Sequence, residues 1–272
     1  RDSSGYTLPH TGEGISLISS LRSMQDTESN RISTYIQETY TLEHKSGIYN
    51  FTGGVRLSYW DYNRECIVSP RISVGFNPAF NPRLTFRFAT GLYYQAPFYK
   101  EFRDTLQDSR GNWTVRLNDR IKSQRSVHVI LGSDFTFRAM DRPFKLTGEV
   151  YYKKLDRLIS YEVDNVRVWY SGENNSEGYI AGLDLKLFGE FVPGVDSWLT
   201  LSLMTAKEKA ASGYVPLPTE QRYSVGLFFQ DYVPRFPKYR FSLKAIWSDG
   251  LPMAAPRKGR AEGYFRTPPY RR

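Results

Sequence analysis

The sequence that decides the fold lies in residues 223–230, YSVGLFFQ, and residues 239–247, YRFSLKAIW. In both segments every second side chain is apolar, beginning with the tyrosine. A period of two places successive side chains on opposite faces of a β-strand. The connection Asp231–Pro237 is short, so we expect the two strands to pair antiparallel. One face of this pair would be apolar and aromatic, and the other would carry charge.

Similar segments recur through the chain. The same alternation appears in eight earlier segments: residues 31–42, 49–59, 66–76, 84–94, 127–137, 144–152, 179–187 and 199–203. Aromatic residues make up 15% of the chain, and such a composition favours strands. No apolar run approaches the roughly 18 residues that a membrane-spanning helix requires. The sequence therefore predicts an all-β protein with about ten long strands.

The connections between these segments alternate in length. Short turns are expected at 44–47, 77–82, 140–143, 192–196 and 231–237, and long connections at 96–124, 155–178 and 206–220; only 61–65 breaks the alternation. Alternating short turns and long loops, with strands of about ten residues and an apolar outward face, are typical of an outer-membrane barrel. We therefore predict an antiparallel up-and-down transmembrane β-barrel. Its apolar face would meet lipid and its polar face a water-filled lumen.

Two details of this barrel can be predicted as well. Aromatic residues beside the short turns indicate a girdle at the periplasmic interface: Phe76, Phe80, Phe144, Phe191, Trp198, Phe229, Tyr232 and Tyr239. The long connection 155–178 contains two strand-like pieces, 158–163 and 166–170, which indicate a hairpin above the membrane.

Composition narrows the classes of function. The formal net charge is +9, from 37 Lys and Arg against 28 Asp and Glu, but the basic residues are spread singly through the strands. Electrostatic binding of nucleic acid needs several phosphates contacted together, so we expect no nucleic-acid partner. The sequence contains no GxSxG, HExxH or GxxxxGK[ST] motif, and its single cysteine, Cys66, cannot form an internal disulfide. We predict no enzyme, no catalytic residue, no metal site and no cofactor.

Several wall segments resemble those of a known family. Residues 69–74, SPRISV, followed by 84–97, LTFRFATGLYYQAP, are similar to a stretch common in TonB-dependent receptors. Residues 146–155, LTGEVYYKKL, 178–185 and 191–198, FVPGVDSW, resemble the same family, particularly its Bacteroidota members. The resemblance extends over most of residues 31–272.

The resemblance implies a barrel of roughly 22 strands whose lumen is filled by an N-terminal plug. Ten strands cannot close such a barrel, and the sequence shows neither a plug nor a TonB-box segment. We therefore expect the C-terminal part of the β-barrel without the plug and without the last strands. It would be an open curved sheet over residues 31–250. Residues 1–30 would be an extracellular loop segment, and 251–272 an extracellular loop leading to a missing strand.

Function, location and partners are also implied by the resemblance. Receptors of this kind lie in the bacterial cell outer membrane and take up a scarce ligand such as a metal chelate, a vitamin or a glycan. The partners implied are outer-membrane lipid and lipopolysaccharide, a small-molecule or glycan ligand, a surface lipoprotein, and the plug domain and TonB complex acting through the missing part of the chain.

Charged side chains of the polar face are the first candidates for ligand binding. On the predicted register they are Arg56, Arg71, Arg87, Asp134, Arg138, Lys145, Glu149, Lys153, Asp184, Lys186, Glu190, Arg240 and Lys244. The basic excess, roughly nine against four, would attract an anionic ligand such as a ferric chelate. The candidate ligand-binding residues are Arg56, Arg71, Arg87, Lys145 and Arg240 in the lumen, and Trp113, Trp169 and Tyr170 in the loops. Alternatively, the charges are solvated or paired with the plug, and the aromatics anchor the membrane interface.

Two other interpretations fit the alternation of side chains. A passive porin or an adhesin barrel would have the same wall and no plug upstream. A soluble carbohydrate-binding β-sandwich would instead enclose the apolar face in a dry core built from Leu199, Leu201, Leu203, Phe241 and Leu243.

Overall fold

A computed structural model gives the fold of the chain. It describes residues 28–107, 113–164, 167–210, 213–233 and 235–252, together with the short pieces 5–6, 17–19, 257–258 and 265–266. Within these ranges every regular element is a β-strand. No helix in the same ranges is long and apolar enough to cross a membrane.

Ten long strands form the wall in the part of the chain that is described. They are β1 (Arg31–His44), β2 (Gly47–Trp60), β3 (Glu65–Pro78), β4 (Leu84–Gln95), β5 (Gln124–Ala139), β6 (Arg142–Leu158), β7 (Ser176–Val192), β8 (Val195–Ala210), β9 (Tyr223–Val233) and β10 (Phe236–Ser248). A short strand, Gly213–Pro216, pairs with β8. The remaining strands form separate two-stranded pairs: Gly5–Tyr6 with Leu17–Ser19, Arg103–Gln107 with Trp113–Leu117, Tyr161–Asp164 with Arg167–Tyr170, and Arg257–Lys258 with Phe265–Arg266.

Each wall strand pairs antiparallel with its neighbours in the sequence, so the sheet is an open up-and-down meander from β1 to β10. The connections 45–46, 79–83, 140–141, 193–194 and 234–235 lie at one end of the strands, which we call the turn end. The connections 61–64, 96–123, 159–175 and 211–222 lie at the other end, which we call the loop end. The predicted alternation of short and long connections is confirmed, and the short segment 61–64 also lies at the loop end.

The register confirms the predicted separation of side chains into two faces. Leu187, Leu199 and Leu227 are opposite one another across three strands, on what we call the apolar face. Their sequence neighbours Lys186, Thr200 and Gly226 are opposite one another on the polar face. The same separation of faces holds across the sheet. Because side chains alternate along each strand, apolar residues meet apolar residues on one face only when neighbouring strands pair in the matching register.

The apolar face is not covered by a second sheet of the described residues, so the soluble β-sandwich is wrong. Leu199 and Leu203 are 42% and 41% exposed, and Phe241 and Leu243 are 45% and 52% exposed. Among the described residues, buried apolar side chains lie instead near the two ends of the strands: Trp60, Ile121, Phe144, Ile159, Val195 and Ala206. A single layer with an uncovered apolar face is the arrangement of a wall between lipid and water.

The predicted aromatic girdle is only partly present. Phe76, Phe144 and Phe229 lie on the apolar face at the turn end, as expected. The prediction is wrong for Trp198 and Tyr232, which lie on the polar face opposite Phe228 and Arg240. The face of a side chain is decided by whether it occupies an odd or an even position in its strand, and not by how close it is to a turn.

The wall strands are longer than predicted and extend beyond the apolar band at the loop end. β6 and β7 have 17 residues each, whereas a transmembrane strand needs about 9–11. The predicted hairpin of the connection 155–178 is confirmed as Tyr161–Asp164 with Arg167–Tyr170. The connection 96–124 also contains a hairpin, Arg103–Gln107 with Trp113–Leu117, which the sequence did not predict.

The close packing of Tyr151 against Gly182 on the polar face can be tested by substitution. Tyr151 lies across Gly182, and a Cβ atom at Gly182 would collide with the Tyr151 hydroxyl and lie 2.7 Å from the carbonyl oxygen of Leu203. Gly182→Ala is therefore expected to destabilise the barrel by about 1–3 kcal/mol, because it overpacks a site that includes backbone. Thermal unfolding in detergent measures the change.

Gly53→Ala is the matched control for this substitution. Gly53 also lies in a wall strand, but a Cβ atom there would have nothing within 4 Å. Equal unfolding temperatures for the two variants would contradict the packing described for Tyr151.

Candidate functional site

Two described parts of the long connection 96–123, residues 98–102 and 121–123, fold against the polar face at the loop end. Trp60, the last residue of β2, is 5% exposed, and its ring stacks on Tyr62 with centroids 5.1 Å apart. Phe102 of the connection contacts both rings, at 6.4 Å from Trp60 and 5.3 Å from Tyr62. Tyr99 packs edge-on against Phe102 at 5.9 Å. We call Trp60, Tyr62, Tyr99 and Phe102 the loop-end aromatic cluster.

A buried carboxylate holds the far end of the same connection to the wall. Glu65, the first residue of β3, accepts hydrogen bonds from the backbone N–H of Ser123 at 2.9 Å and from its hydroxyl at 2.6 Å. The Asn63 amide donates to Glu65 at 3.2 Å and to the carbonyl oxygen of Ile121 at 2.8 Å. Ser123 is 0% exposed and Glu65 is 7% exposed. Because Glu65 and Ser123 are buried, these charge-assisted hydrogen bonds position the end of the connection on the wall.

Two asparagines join this connection to the next loop. The Asn118 amide donates to the carbonyl oxygen of Gly172 at 2.7 Å. Asn174 accepts from the backbone N–H of Lys122 and donates to its carbonyl oxygen, both at 2.8 Å. The connections 61–64, 96–123 and 159–175 are therefore tied to one another at the loop end, through side chains that satisfy loop backbone groups.

A second buried carboxyl, Glu101, lies within the docked connection. It accepts from the backbone N–H of Phe98 at 2.8 Å and from the Gln124 amide at 3.1 Å. Burial raises the pKa of Glu101, although both hydrogen bonds lower it. The charge of Glu101 in turn adds to burial in raising the pKa of Tyr170.

This pKa shift predicts a pH dependence of loop docking. A carboxyl whose pKa is higher in the docked state binds its proton more tightly there, so docking is weakened above the raised pKa and strengthened as pH falls through it. Limited proteolysis of the connection 96–123 should therefore slow as the medium is acidified through that range. Glu101→Gln, which is neutral at every pH, should remove the dependence; an unchanged pH profile in this variant would contradict the assignment to Glu101.

In the turn-end half of the polar face, two of the predicted candidate cations are paired. Arg87 forms ion pairs with Asp134 at 3.1 Å and with Glu149 at 3.1 Å. Lys145 pairs with the same Asp134 at 3.2 Å, and the Thr147 hydroxyl donates to it at 2.8 Å. Arg87 and Lys145 thus act within a network that joins β4, β5 and β6.

Near the loop end, three other cations line one cavity. Arg31, Arg56 and Arg71, which we call the arginine strip, surround a cavity of about 250 Å³ together with Ser33, Ser58, Ser69 and Trp60. Arg56 donates to the Ser33 hydroxyl at 3.0 Å, and the guanidinium of Arg31 lies 4.0 Å from the centre of the Trp60 ring. Among the described residues, no carboxylate forms an ion pair with any of the three.

Arg71 continues into a stack of rings on the polar face. Its guanidinium lies 4.4 Å from the centre of the Tyr93 ring, and Tyr93 stacks on His128 at 4.1 Å. Gly91, opposite both Arg71 and His128, leaves the space that the Arg71 side chain crosses. His128 is on the polar face, as predicted, and no group of three His, Cys, Asp or Glu side chains in the described ranges is placed to hold a metal ion.

The remaining predicted candidates are dispersed. Arg240 lies at the turn end, 5.8 Å from the centre of the Tyr232 ring. Tyr170 lies at the loop end, where its ring contacts Phe98 at 5.7 Å and Tyr161 at 5.9 Å. The side chains of Trp113 and Trp169 lie outside the described residues.

Sequence reasoning missed Arg31, Trp60 and Glu65. The alternation of side chains along β1 and β2 could have identified the first two, since Arg31 and Trp60 are opposite each other and lie on the same polar face as Arg56. The role of Glu65 had no such signal, because its partner Ser123 is 58 residues away.

An open antiparallel meander with an uncovered apolar face, a charged polar face, short turns at one end and long loops at the other defines a transmembrane β-barrel wall. The family model described as TonB dependent receptor-like, beta-barrel matches residues 2–271, and the chain belongs to that family. It is therefore a bacterial outer-membrane protein, from a family of transporters. Among curated proteins and among solved structures, nothing matches the chain.

Proposed function

We propose that this wall is part of a receptor that takes up a scarce ligand, a metal chelate, a vitamin or a glycan, across the outer membrane. The observation that carries the proposal is the loop end of the polar face, where the arginine strip, Trp60 of the loop-end aromatic cluster and Ser123 of the docked connection line one cavity. Concave sites that combine aromatic rings with a few directed polar groups are typical of ligand binding.

The edges of the sheet support a larger barrel. In the part of the chain that the structure describes, β1 and β10 each pair on one side only, and all fourteen residues of β1 are exposed. An unpaired edge in hydrocarbon leaves backbone N–H and C=O groups without partners, at several kcal/mol for each group. We therefore propose that further strands pair with both edges, so that residues 31–250 form one part of the barrel and 1–30 and 251–272 are loop segments beside it.

The partners follow from this assignment. In the proposed receptor, the plug domain fills the lumen against the polar face, and the TonB complex supplies energy through the plug. Outer-membrane lipid and lipopolysaccharide surround the apolar face, and a surface lipoprotein covers the loop end. No nucleic acid and no enzymatic reaction takes part.

A growth experiment tests the proposal. The gene is deleted in its host, and TonB is removed in a second strain; both are grown with ferric chelates, corrinoids or defined glycans each supplied as the sole limiting source. We expect both strains to fail on the same source. A defect in the deletion strain alone would indicate a passive porin, and no defect on any source would overturn the proposal.

A further inference from the structure

We propose that the arginine strip binds an oxyanion of the ligand, so that the substrate class is a molecule carrying carboxylate, phosphate or sulfate groups. This inference rests on the proposed function and adds the chemistry that the site recognises. It concerns Arg31, Arg56 and Arg71 only, and it leaves Arg87 and Lys145 as parts of the wall.

The difference between these two sets of cations is their pairing. Asp134 and Glu149 lie within 3.2 Å of Arg87 or Lys145 and neutralise them. The arginine strip has no ion-pair partner in the described part of the chain, although three guanidinium groups line the same cavity. Like charges that line one cavity repel one another, and an anion bound between them offsets the repulsion.

The Glu65 carboxylate at the loop end is occupied by other donors. Glu65 lies opposite Trp60, beside the cavity, but its oxygens accept from Ser123 and Asn63. Because Ser123 belongs to the docked connection, Glu65 would have to release that connection before it could neutralise the strip. The positive charge of the cavity is therefore available to a ligand.

The guanidinium groups are also held in place. Arg31 lies over Trp60, Arg71 lies over Tyr93, and Arg56 is fixed by its bond to Ser33. Stacking on an aromatic face leaves the N–H groups at the edge of the guanidinium free to donate, and a guanidinium matches the two oxygens of a carboxylate, phosphate or sulfate. The serine hydroxyls of the cavity supply further donors.

The size of the cavity limits what enters it. A volume of about 250 Å³ is below the range of roughly 300–1,000 Å³ typical of whole small-molecule sites. The arginine strip therefore binds an anionic group of the ligand rather than the entire molecule. The loop-end aromatic cluster lies beside the strip and would contact the remaining part of the ligand.

Binding of the trisulfonated dye pyranine, followed by fluorescence anisotropy, tests this inference on the protein as its host makes it, purified from outer membranes in detergent. The double variant Arg56→Ser with Arg71→Ser removes two charge-assisted contacts, and we expect it to bind pyranine about a hundredfold more weakly. The double variant Lys186→Ser with Lys244→Ser is the matched control, because it removes the same charge from the same face nearer the turn end. We expect it to bind within about twofold of the unmodified protein.

Competition then distinguishes the sources of the oxyanion. Citrate supplies carboxylates, inorganic pyrophosphate supplies phosphates, and a heparin disaccharide supplies sulfates, whereas cellobiose is neutral; at least one anion and not cellobiose should displace the dye. The inference is overturned if the unmodified protein does not bind pyranine, if the two double variants lose affinity equally, or if the strip variant keeps its affinity and instead loosens the plug. Any of these results would leave TonB-dependent uptake standing, so the two proposals fail separately.

Discussion

Leu201→Arg is expected to prevent stable insertion of the wall into the outer membrane. Leu201 lies on the apolar face near the middle of β8, in register with Leu185 and Val225. An arginine facing lipid at the midplane of a barrel costs about 2–4 kcal/mol, and the neighbouring leucines offer it no partner. The fraction of protein that resists urea extraction from outer membranes, and the unfolding temperature in detergent, measure the loss.

Ser202→Arg is the control at the next position. Ser202 lies on the polar face opposite Asp184 and Ser224, where lumen water solvates a charge and Asp184 attracts it. We expect this variant to insert normally and to keep its unfolding temperature within a few degrees. Similar losses in the two variants, or a greater loss for Ser202→Arg, would contradict the assignment of the apolar face to lipid.

Glu65→Ala is expected to release the connection 96–123 from the polar face. The substitution leaves the N–H and hydroxyl of Ser123 without their acceptor in a buried site, and the Asn63 amide keeps only its bond to the carbonyl oxygen of Ile121. Each buried donor without a partner costs about 1–3 kcal/mol, so docking of the loop should be lost. Protease cleavage within the connection is expected to become at least about tenfold faster, since each 1.4 kcal/mol of opening free energy is a factor of ten.

The matched control removes an exposed carboxylate at the same end of the barrel. Glu177 pairs with Lys209 at 2.7 Å, but both side chains are largely solvated, so Glu177→Ala should change little, by about 0–1 kcal/mol. If Glu65→Ala is cleaved no faster than this control, the connection is held by contacts other than the Glu65 hydrogen bonds. Uptake assays of the two variants would then show whether docking of the loop matters for transport.

The wall was predictable because its pattern is local. The alternation in residues 223–230 and 239–247 gives the face of every side chain in both strands, and one short turn joins them. The same argument applies to each pair of strands that are consecutive in the sequence. The order of the strands and the face of each side chain could therefore be predicted without knowledge of contacts between distant residues. Strand ends were less predictable, because β6 and β7 continue past the apolar band, where side chains no longer alternate between lipid and water.

The candidate site was predictable only in part. Arg56, Arg71, Arg87 and Lys145 share charge and parity, and the sequence treats them alike. Their difference depends on Asp134. Its strand, β5, lies directly between the strands of Arg87 and Lys145, and it is not a neighbour of the strand that carries Arg56. In the sequence, β5 follows β4 only after the long connection 96–123. The register in which β5 pairs with β4 therefore decides which charged side chains meet.

The sequence by itself therefore determined that this chain is a two-faced antiparallel wall, because a period of two and a short turn act between residues that are close in the chain. Only the tertiary structure decided which long connections fold back onto the polar face, since the Glu65–Ser123 and Asn118–Gly172 contacts join residues 58 and 54 positions apart. It also decided which arginines are neutralised and which line an open cavity. Such contacts depend on closing long loops in one register, and no local pattern of side chains specifies that.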